Sequence, residues 1–285
     1  MINDLILIAD SGSTKTDWCL IEKNGDTKTV QTIGINPYQM DYASIKDVLD
    51  KELYPFINPD AVKEIYFYGS GCSTVRKCQT LENVLHEFFG KANLIEVHHD
   101  MLGAARALCG KSAGIACILG TGSNSCYYDG NDIVENVESL GYFFGDEGSG
   151  AHLGKKLLTD YFQKKIPTEI LDSFCNRFNP SVESILDAVY NKPRPSRFLA
   201  SFSPFLLENI SHPYVKNLIS SSFDEFFAKT VSQYSNFKQL KVSFIGSVAY
   251  YFNDILKESA AKAGITTDKF YRSAIEGLID FHYNS

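Results

Sequence analysis

Apolar residues fill Leu5–Ala9 and predict a buried strand at the start of the chain. Asp17–Glu22 reads as a second strand. Asn24-Gly25 is a hairpin turn signal, and Lys28–Ile33 returns as a third strand. Tyr42–Tyr54 has helical spacing, Glu64–Tyr68 alternates as a strand, and Gly69 to Ser73 reads as a turn. Arg76–Phe89 predicts an amphipathic helix ended by Gly90. Asn93–His98 predicts another strand, and Met101–Leu108 a helix ended by Gly110.

At Gly114 the pattern restarts. Ile115–Leu119 is an apolar strand, Ser125–Tyr128 a second strand, Asp129-Gly130 a hairpin turn, and Ile133–Val137 a third strand. Ile8–Thr14 (IADSGST) and Ile118–Asn124 (ILGTGSN) form a weak internal repeat, offset by about 110 residues. A long helical insertion follows, about 149–238, interrupted at Pro193-Arg194-Pro195 and Ser211-His212-Pro213. The pattern resumes with strand Lys241–Ile245, the turn Gly246-Ser247, a helix over Val248–Ala263, a strand near Lys269–Tyr271 and a helix over Ala274–Tyr283. Two copies of a three-strand meander predict an α/β protein of two similar lobes. Their expected bounds are 1–110, joined by the last helix at about 272–285, and 111–271. Ligands are expected in a cleft between the lobes.

The 285 residues suffice for two cores. The net charge of -7 and the pI near 5.4 argue against a nucleic-acid surface or an anionic membrane as partner. Leu5–Ala9 is too short for a signal-peptide core, and no run approaches a membrane helix. Seven scattered cysteines without C-x-x-C spacing fit a reducing cytoplasm better than disulfides or zinc.

Four polar elements stand out. In Asp10-Ser11-Gly12-Ser13-Thr14-Lys15-Thr16, the glycine lets backbone N–H groups turn inward, while the hydroxyls and Lys15 add donors suited to a phosphate chain. Asp10 at a strand end suits Mg²⁺ held through water. Taken alone, the loop is equally a plain turn of small polar residues. Gly120-Thr121-Gly122-Ser123-Asn124 follows an equivalent strand and offers a second such loop. Asp100 follows a strand and opens a helix, so it serves either as a helix cap or as a general base toward an alcohol. Gly141 to Gly150 (GYFFGDEGSG) places Asp146 and Glu147 among glycines as acceptors for ligand hydroxyls, or as acids beside a helix dipole. Its Gly148-x-Gly150 is not a dinucleotide loop, because no strand directly precedes it.

These elements, in this order, resemble the N-acetylglucosamine kinase family of the BadF/BadG/BcrA/BcrD ATPases, within the actin/hexokinase/Hsp70 superfamily. The resemblance rests on DSGSTKTDW, Ile35-Asn36-Pro37-Tyr38, HHDMLGAARAL, ILGTGSNS, FFGDEGSG and FIGSVAYYF, and covers nearly the whole chain. It implies two RNase H-like lobes, with the C-terminal helix crossing back to the first. It implies ATP and Mg²⁺ as cofactors and transfer of phosphate to a hydroxyl, O6, of N-acetylglucosamine or a related amino sugar. The residues it marks are Asp10 for the metal and Asp100 as base. Gly12, Ser13, Thr14, Lys15, Gly120, Thr121, Gly122, Gly246 and Ser247 are marked for the nucleotide. Asn36, Ser123, Asn124, Gly141, Asp146 and Glu147 are marked for the sugar. Leu140-Gly141-Tyr142-Phe143 departs from the glycine-rich stretch expected there, Tyr38 replaces an expected Trp, and Glu208–His212 departs from a glycine-containing junction near the adenine. A cytoplasmic homodimer is expected. Two other readings stand beside this one: an ATPase activator of a dehydratase that carries an iron–sulfur cluster, and a non-catalytic sugar sensor.

Overall fold

In the first sheet, β1 (Leu5–Ser11) is apolar on both faces, because Leu7, Ile8 and Ala9 are all buried, and such a strand belongs in the interior of a sheet. The computed structural model, which describes residues 5–12, 14–72 and 74–284, places it so. β1 pairs antiparallel with β2 (Lys15–Ile21), Ile8 opposite Cys19, and parallel with β4 (Val62–Gly69), Leu7 beside Ile65. β3 (Thr27–Ile33) and β5 (Leu94–His99) complete the order β3-β2-β1-β4-β5. Helices α1 (Tyr42–Val48) and α2 (Val75–Phe88) contribute Ile45, Val48, Leu81, Val84 and Leu85 to a core with Leu7, Ala9, Trp18, Ile65 and Phe67. Helix α3 (Asp100–Cys109) follows β5.

The second sheet repeats the plan. β6 (Gly114–Leu119), β7 (Ser123–Tyr128) and β8 (Ile133–Asn136) form the meander; with β9 (Val242–Ile245) and β10 (Thr267–Tyr271) the order is β10-β9-β6-β7-β8. Read from its far edge, this is the order of the first sheet. Between β8 and β9 lie α4 (Gly141–Phe144), α5 (Gly150–Phe162), α6 (Thr168–Arg177), α7 (Val182–Tyr190), α8 (Pro195–Ala200), α9 (Ser203–Glu208) and α10 (Pro213–Lys229). α11 (Ser247–Tyr251) and α12 (Asn253–Lys262) join β9 to β10, and α13 (Ile275–His282) ends the chain. The chain divides into two compact units: residues 1–110 with 273–285, and residues 111–272. Within the first unit α13 packs on α3, where Gly277 lies so close that a Cβ there would sit 2.2 Å from the Ala107 carbonyl oxygen.

The helical stretch expected over Tyr42–Tyr54 stops being α-helical at Val48. It widens into a π-helical turn, Leu49–Leu53, and then tightens into a 3₁₀ turn at Tyr54–Phe56 that carries Pro55, which lacks the N–H a helix interior needs. The helix expected over Val248–Ala263 is two helices, broken at Phe252. In the insertion Pro195 and Pro213 open α8 and α10, where a missing N–H costs nothing.

Candidate active site

The first unit brings Asp10 and Asp100 into each other's field. Asp10 lies near the carboxyl end of β1. Its Oδ2 accepts from the Ala274 N–H at 3.1 Å and the Ser273 hydroxyl at 3.4 Å, just before α13. Oδ1 has no hydrogen-bond partner among the described residues. Asp100 is the first residue of α3, and its Oδ1 accepts from the Met101 N–H at 2.9 Å. The N-cap itself is His99, whose Nδ1 accepts from the Leu102 N–H. His99 thus holds the N-cap position, and Asp100 satisfies one further amide of the first turn with a single oxygen. Both residues keep some surface in contact with solvent. Burial nevertheless pushes the Asp10 carboxyl up, opposed by its Ala274 hydrogen bond. Burial first, and then the neighbouring Asp10 charge, push Asp100 up to about 6.

Two desolvated carboxylates, one with an unpartnered oxygen, suit a hard divalent cation that takes its remaining ligands from water and phosphate. Among the described residues no three His, Cys, Asp or Glu side chains gather as a metal-ligand set. A closed zinc-type site is therefore not what these acids form, and a Mg²⁺ shared with a polyphosphate fits them.

The first loop is closed by hydroxyls. Ser11 Oγ lies 2.7 Å from Thr16 Oγ1 and donates to the Ile35 carbonyl, while the Ile35 N–H donates back to Ser11 Oγ. Gly12 N–H donates to the Lys15 carbonyl, and the Thr14 carbonyl accepts from Gly34. Lys15 is half exposed, its ammonium 2.6 Å from Asp17. Ser13 lies outside the described residues. Asn36 folds back on its own loop: its Oδ1 accepts from the Tyr38 N–H at 2.8 Å. Gly71, at φ +84°, makes room for it; a Cβ there would sit 2.2 Å from Asn36 Oδ1.

In the second unit the loop after β6 and the acidic loop are one construction. The Gly120 carbonyl accepts from the Gly150 N–H at 2.9 Å, and the Thr121 carbonyl accepts from Ala151 at 3.0 Å. These bonds satisfy amides at the start of α5 that a helix leaves orphaned. Ser149 is the α5 N-cap and accepts from His152, so Asp146 is not that cap. The Asp146 side chain instead accepts from the Ser123 N–H at 3.1 Å. It fills the space beside Gly122, where a Cβ would lie 2.9 Å from its Oδ2. Asp146 is a non-glycine residue at φ +58°, a conformation that carries strain and recurs at functional sites. Burial pushes its carboxyl up, against the hydrogen bonds from Ser123 and Ser139.

Glu147 is held from α10. Lys229 Nζ is 2.9 Å from Glu147 Oε1 and 3.2 Å from Glu225, which also meets Lys156 at 2.7 Å. A ladder of alternating charge thus runs between α5 and α10 and ends on the acidic loop. Gly246 has φ +116°, and a Cβ there would lie 2.4 Å from the Leu119 carbonyl oxygen, so the turn after β9 closes on the end of β6. Ser247 opens α11 and is exposed.

Of the sequence-derived residues, the first unit groups Asp10 with Asp100 and sets Thr14 and Lys15 in the hairpin beside β1. The second unit groups Gly120, Thr121, Gly122, Ser123 and Asp146, with Gly246 adjacent. Asn124 bonds along its own sheet, to Ser125 and Asn136. Gly141 is exposed, with no heavy atom near a Cβ built on it. Ser273, Ala274 and Lys229 escaped the sequence reading. Ser273 carried a signal, a Ser just ahead of an apolar helical run. Lys229 carried none, because its partner lies 82 positions away. The seven cysteines form no disulfide, and Cys117 and Cys126 are buried within β6 and β7.

No family model matches the chain, and neither does any curated protein. Solved structures do. The chain is 44% identical to a candidate N-acetylglucosamine kinase from Porphyromonas gingivalis, covering 98% of this chain and 99% of that one, with a TM-score of 0.93. A candidate N-acetylglucosamine kinase from Chromobacterium violaceum is 17% identical, covers 99% of each chain and has a TM-score of 0.72. A ROK-family glucokinase from Streptomyces griseus, in complex with glucose and AMPPNP, is 12% identical over 96% of this chain and 97% of that one, with a TM-score of 0.55. At those lower identities the second and third similarities concern the fold alone.

Proposed function

This chain belongs to the N-acetylglucosamine kinase-like family, within the actin/hexokinase superfamily of paired RNase H-like units, and from that premise we propose that it is an ATP-dependent kinase of an amino sugar, N-acetylglucosamine or a near relative, acting at O6. The observation that carries the reading is the acid pair Asp10 and Asp100, set where strands of one sheet end, with Asp100 placed first in its helix behind the N-cap His99.

Asp100 acts as the base: its carboxylate takes the hydroxyl proton as the sugar oxygen bonds to the γ-phosphorus and the bond to ADP breaks. Asp10, anchored through Oδ2, would help hold the metal with its remaining carboxylate oxygen. Mg²⁺ would supply neutralisation of the charge on the phosphates. By the family resemblance, Gly12, Ser13, Thr14, Lys15, Gly120, Thr121 and Gly122 have the nucleotide phosphates as their role, and Gly246 and Ser247 the nucleoside. Asn36, Ser123, Asn124, Gly141, Asp146 and Glu147 serve the sugar. Asp146 is also engaged by the Ser123 amide, so it ties the sugar loop to the phosphate loop. No helix among the described residues is long and apolar enough to cross a membrane; a cytoplasmic setting is part of the proposal, supported by the cysteine usage.

The test is ADP release with Mg²⁺-ATP against glucosamine, N-acetylglucosamine, N-acetylmannosamine, anhydro-N-acetylmuramic acid and glucose. N-acetylglucosamine should give the highest kcat/KM. A site that hydrogen-bonds hydroxyls discriminates strongly against an analogue lacking one. Equal ADP release with and without every sugar would refute the kinase reading.

A further inference from the structure

Asp10 is level with Tyr68 in the parallel pairing of β1 and β4, so both side chains leave the sheet on one face. Helix α3 lies on that face, so close that a Cβ on Gly103 would sit 2.7 Å from Tyr68 Cγ. Gly103 comes one turn after Asp100. The Tyr68 ring is therefore the floor under the first turn of α3, and it sets the height of Asp100 above the sheet. The Tyr68 hydroxyl, fully buried, makes a second link. Arg106 of α3 donates to it from Nη1 at 2.8 Å, and Nε2 of His282, the last residue of α13, lies 2.8 Å from it. An arginine only donates, so the hydroxyl proton points to His282 Nε2, which accepts it as a neutral ring. Arg106 Nε is buried without a partner, and Tyr68 supplies the one side-chain hydrogen bond Arg106 makes among the described residues. The hydroxyl thus ties β4, α3 and α13 together at one atom.

We propose that Tyr68 is a positioning residue for the phosphoryl transfer, fixing both acids at once: Asp100 through the ring under Gly103, and Asp10 through the hydroxyl. The second route runs along α13. Tyr68 holds the end of that helix at His282, while Asp10 Oδ2 accepts from Ser273 and Ala274 just ahead of its start. A helix of eight residues is a stiff strut about 12 Å long. Pinning its far end therefore fixes the amide that orients Asp10. The strut cannot slide freely on α3, because Gly277 meets the Ala107 carbonyl too closely for even a Cβ. Tyr68 lies beneath both helices and acts through the acids, and a misplacement of about 1 Å at a reacting group can cost on the order of 10²-fold in rate. The role rests on the kinase reading of the two acids; the link from Tyr68 to Ala274 does not.

Tyr68→Phe keeps the ring under Gly103 and removes only the hydroxyl. It should lower kcat about 10-fold and leave the KM values for sugar and ATP within about two-fold of the wild type. Hydrogen exchange read by NMR should show the Ala274 amide opening about 10-fold more readily, with β9 amides of the second unit unchanged. His282→Ala should reproduce both effects and add nothing to Tyr68→Phe, since the two remove the same hydrogen bond. His282→Gln, which keeps an acceptor, should stay near the wild type. Tyr66→Phe is the control: its hydroxyl bonds Glu64 at 3.0 Å on the same face, and its loss should change neither readout. A Tyr68→Phe protein that melts earlier but keeps wild-type kcat and Ala274 exchange would make Tyr68 purely structural and overturn the proposal. So would a loss of kcat without faster exchange at Ala274, or a His282→Gln protein as impaired as His282→Ala. A wild type that phosphorylates no sugar refutes the kinase reading alone, because exchange at Ala274 decides the α13 link without turnover.

Discussion

The two units share one strand order, but they treat corresponding positions differently. Where β1 ends, the first unit places Asp10 with one carboxylate oxygen anchored by Ser273 and Ala274. Where β6 ends, the second unit has Leu119 and Gly120, whose backbone docks on β9 and on α5. After β5 the chain enters its helix at Asp100; after β10 it passes through Arg272 and Ser273 into α13. The first loop is closed by the hydroxyls of Ser11 and Thr16, the second by carbonyls capping a helix. One topology thus supports two jobs. The first unit pairs two desolvated carboxylates, and the second builds a backbone cradle around a single one, Asp146, beside the charged side chains of α10.

The acids of the first unit should give the largest effects. Asp100→Asn should lower kcat by about 10²–10⁴, the usual loss for a general base, and leave the melting temperature nearly unchanged, because His99 still caps α3. Near wild-type turnover would remove the asymmetry between the units. Asp10→Ala should shift the Mg²⁺ dependence of turnover while sugar affinity holds, which a Mg²⁺ titration beside calorimetry with the sugar reads directly.

The glycines should come next. Gly246→Ala meets a backbone oxygen at 2.4 Å and a positive φ, and should cost roughly 1–3 kcal/mol of stability. Gly12→Ala has its nearest neighbour at 3.8 Å and no positive φ, so thermal melts should place it near the wild type. If both substitutions destabilise equally, the two loops are not built differently.

Lys229→Met should act more mildly. Without the ammonium, Glu147 stands beside Asp146 without its neutralising partner. The sugar KM should rise several-fold, a change of about 1 kcal/mol for a partly exposed pair, while the KM for ATP is unchanged. Lys229→Arg should restore it; a loss of melting temperature with normal sugar kinetics would make the ladder purely structural.

The strands, the repeat and the two glycine loops were legible in the sequence, because apolar runs, Asn-Gly and Asp-Gly turns and period-two alternation are local signals. The breaks at Leu49 and Phe252 were less legible, since helical periodicity continues through them. The partners of the site residues were not legible at all. Ser273 reaches Asp10 across 263 positions and Lys229 reaches Glu147 across 82, and no spacing rule encodes pairs that only tertiary packing creates. The capping role of His99 was hidden for a different reason: Asp, not His, is the residue that ordinarily caps.

The smallest expected effect is one the units share. His282 in the first unit and His152 in the second are both held neutral by burial, each with its pKa lowered to about 4. His282 lies against the Tyr68 hydroxyl at 2.8 Å and feels Arg106, while His152 Nδ1 lies 2.7 Å from Ser222 Oγ. A folded pKa below the unfolded value near 6.5 means that the unfolded chain binds protons first. Stability is therefore complete above about pH 6.5 and declines as pH falls toward 4. Melting curves over that range should show the decline, and His282→Gln should flatten part of it; a decline unchanged by that substitution would place its origin in other groups.

The most direct test of the central claim is phosphorus NMR on the products of wild-type protein with Mg²⁺-ATP and N-acetylglucosamine. ADP and a sugar phosphomonoester at O6 should form in equal amounts. ADP with free phosphate and no phosphorylated sugar would contradict it.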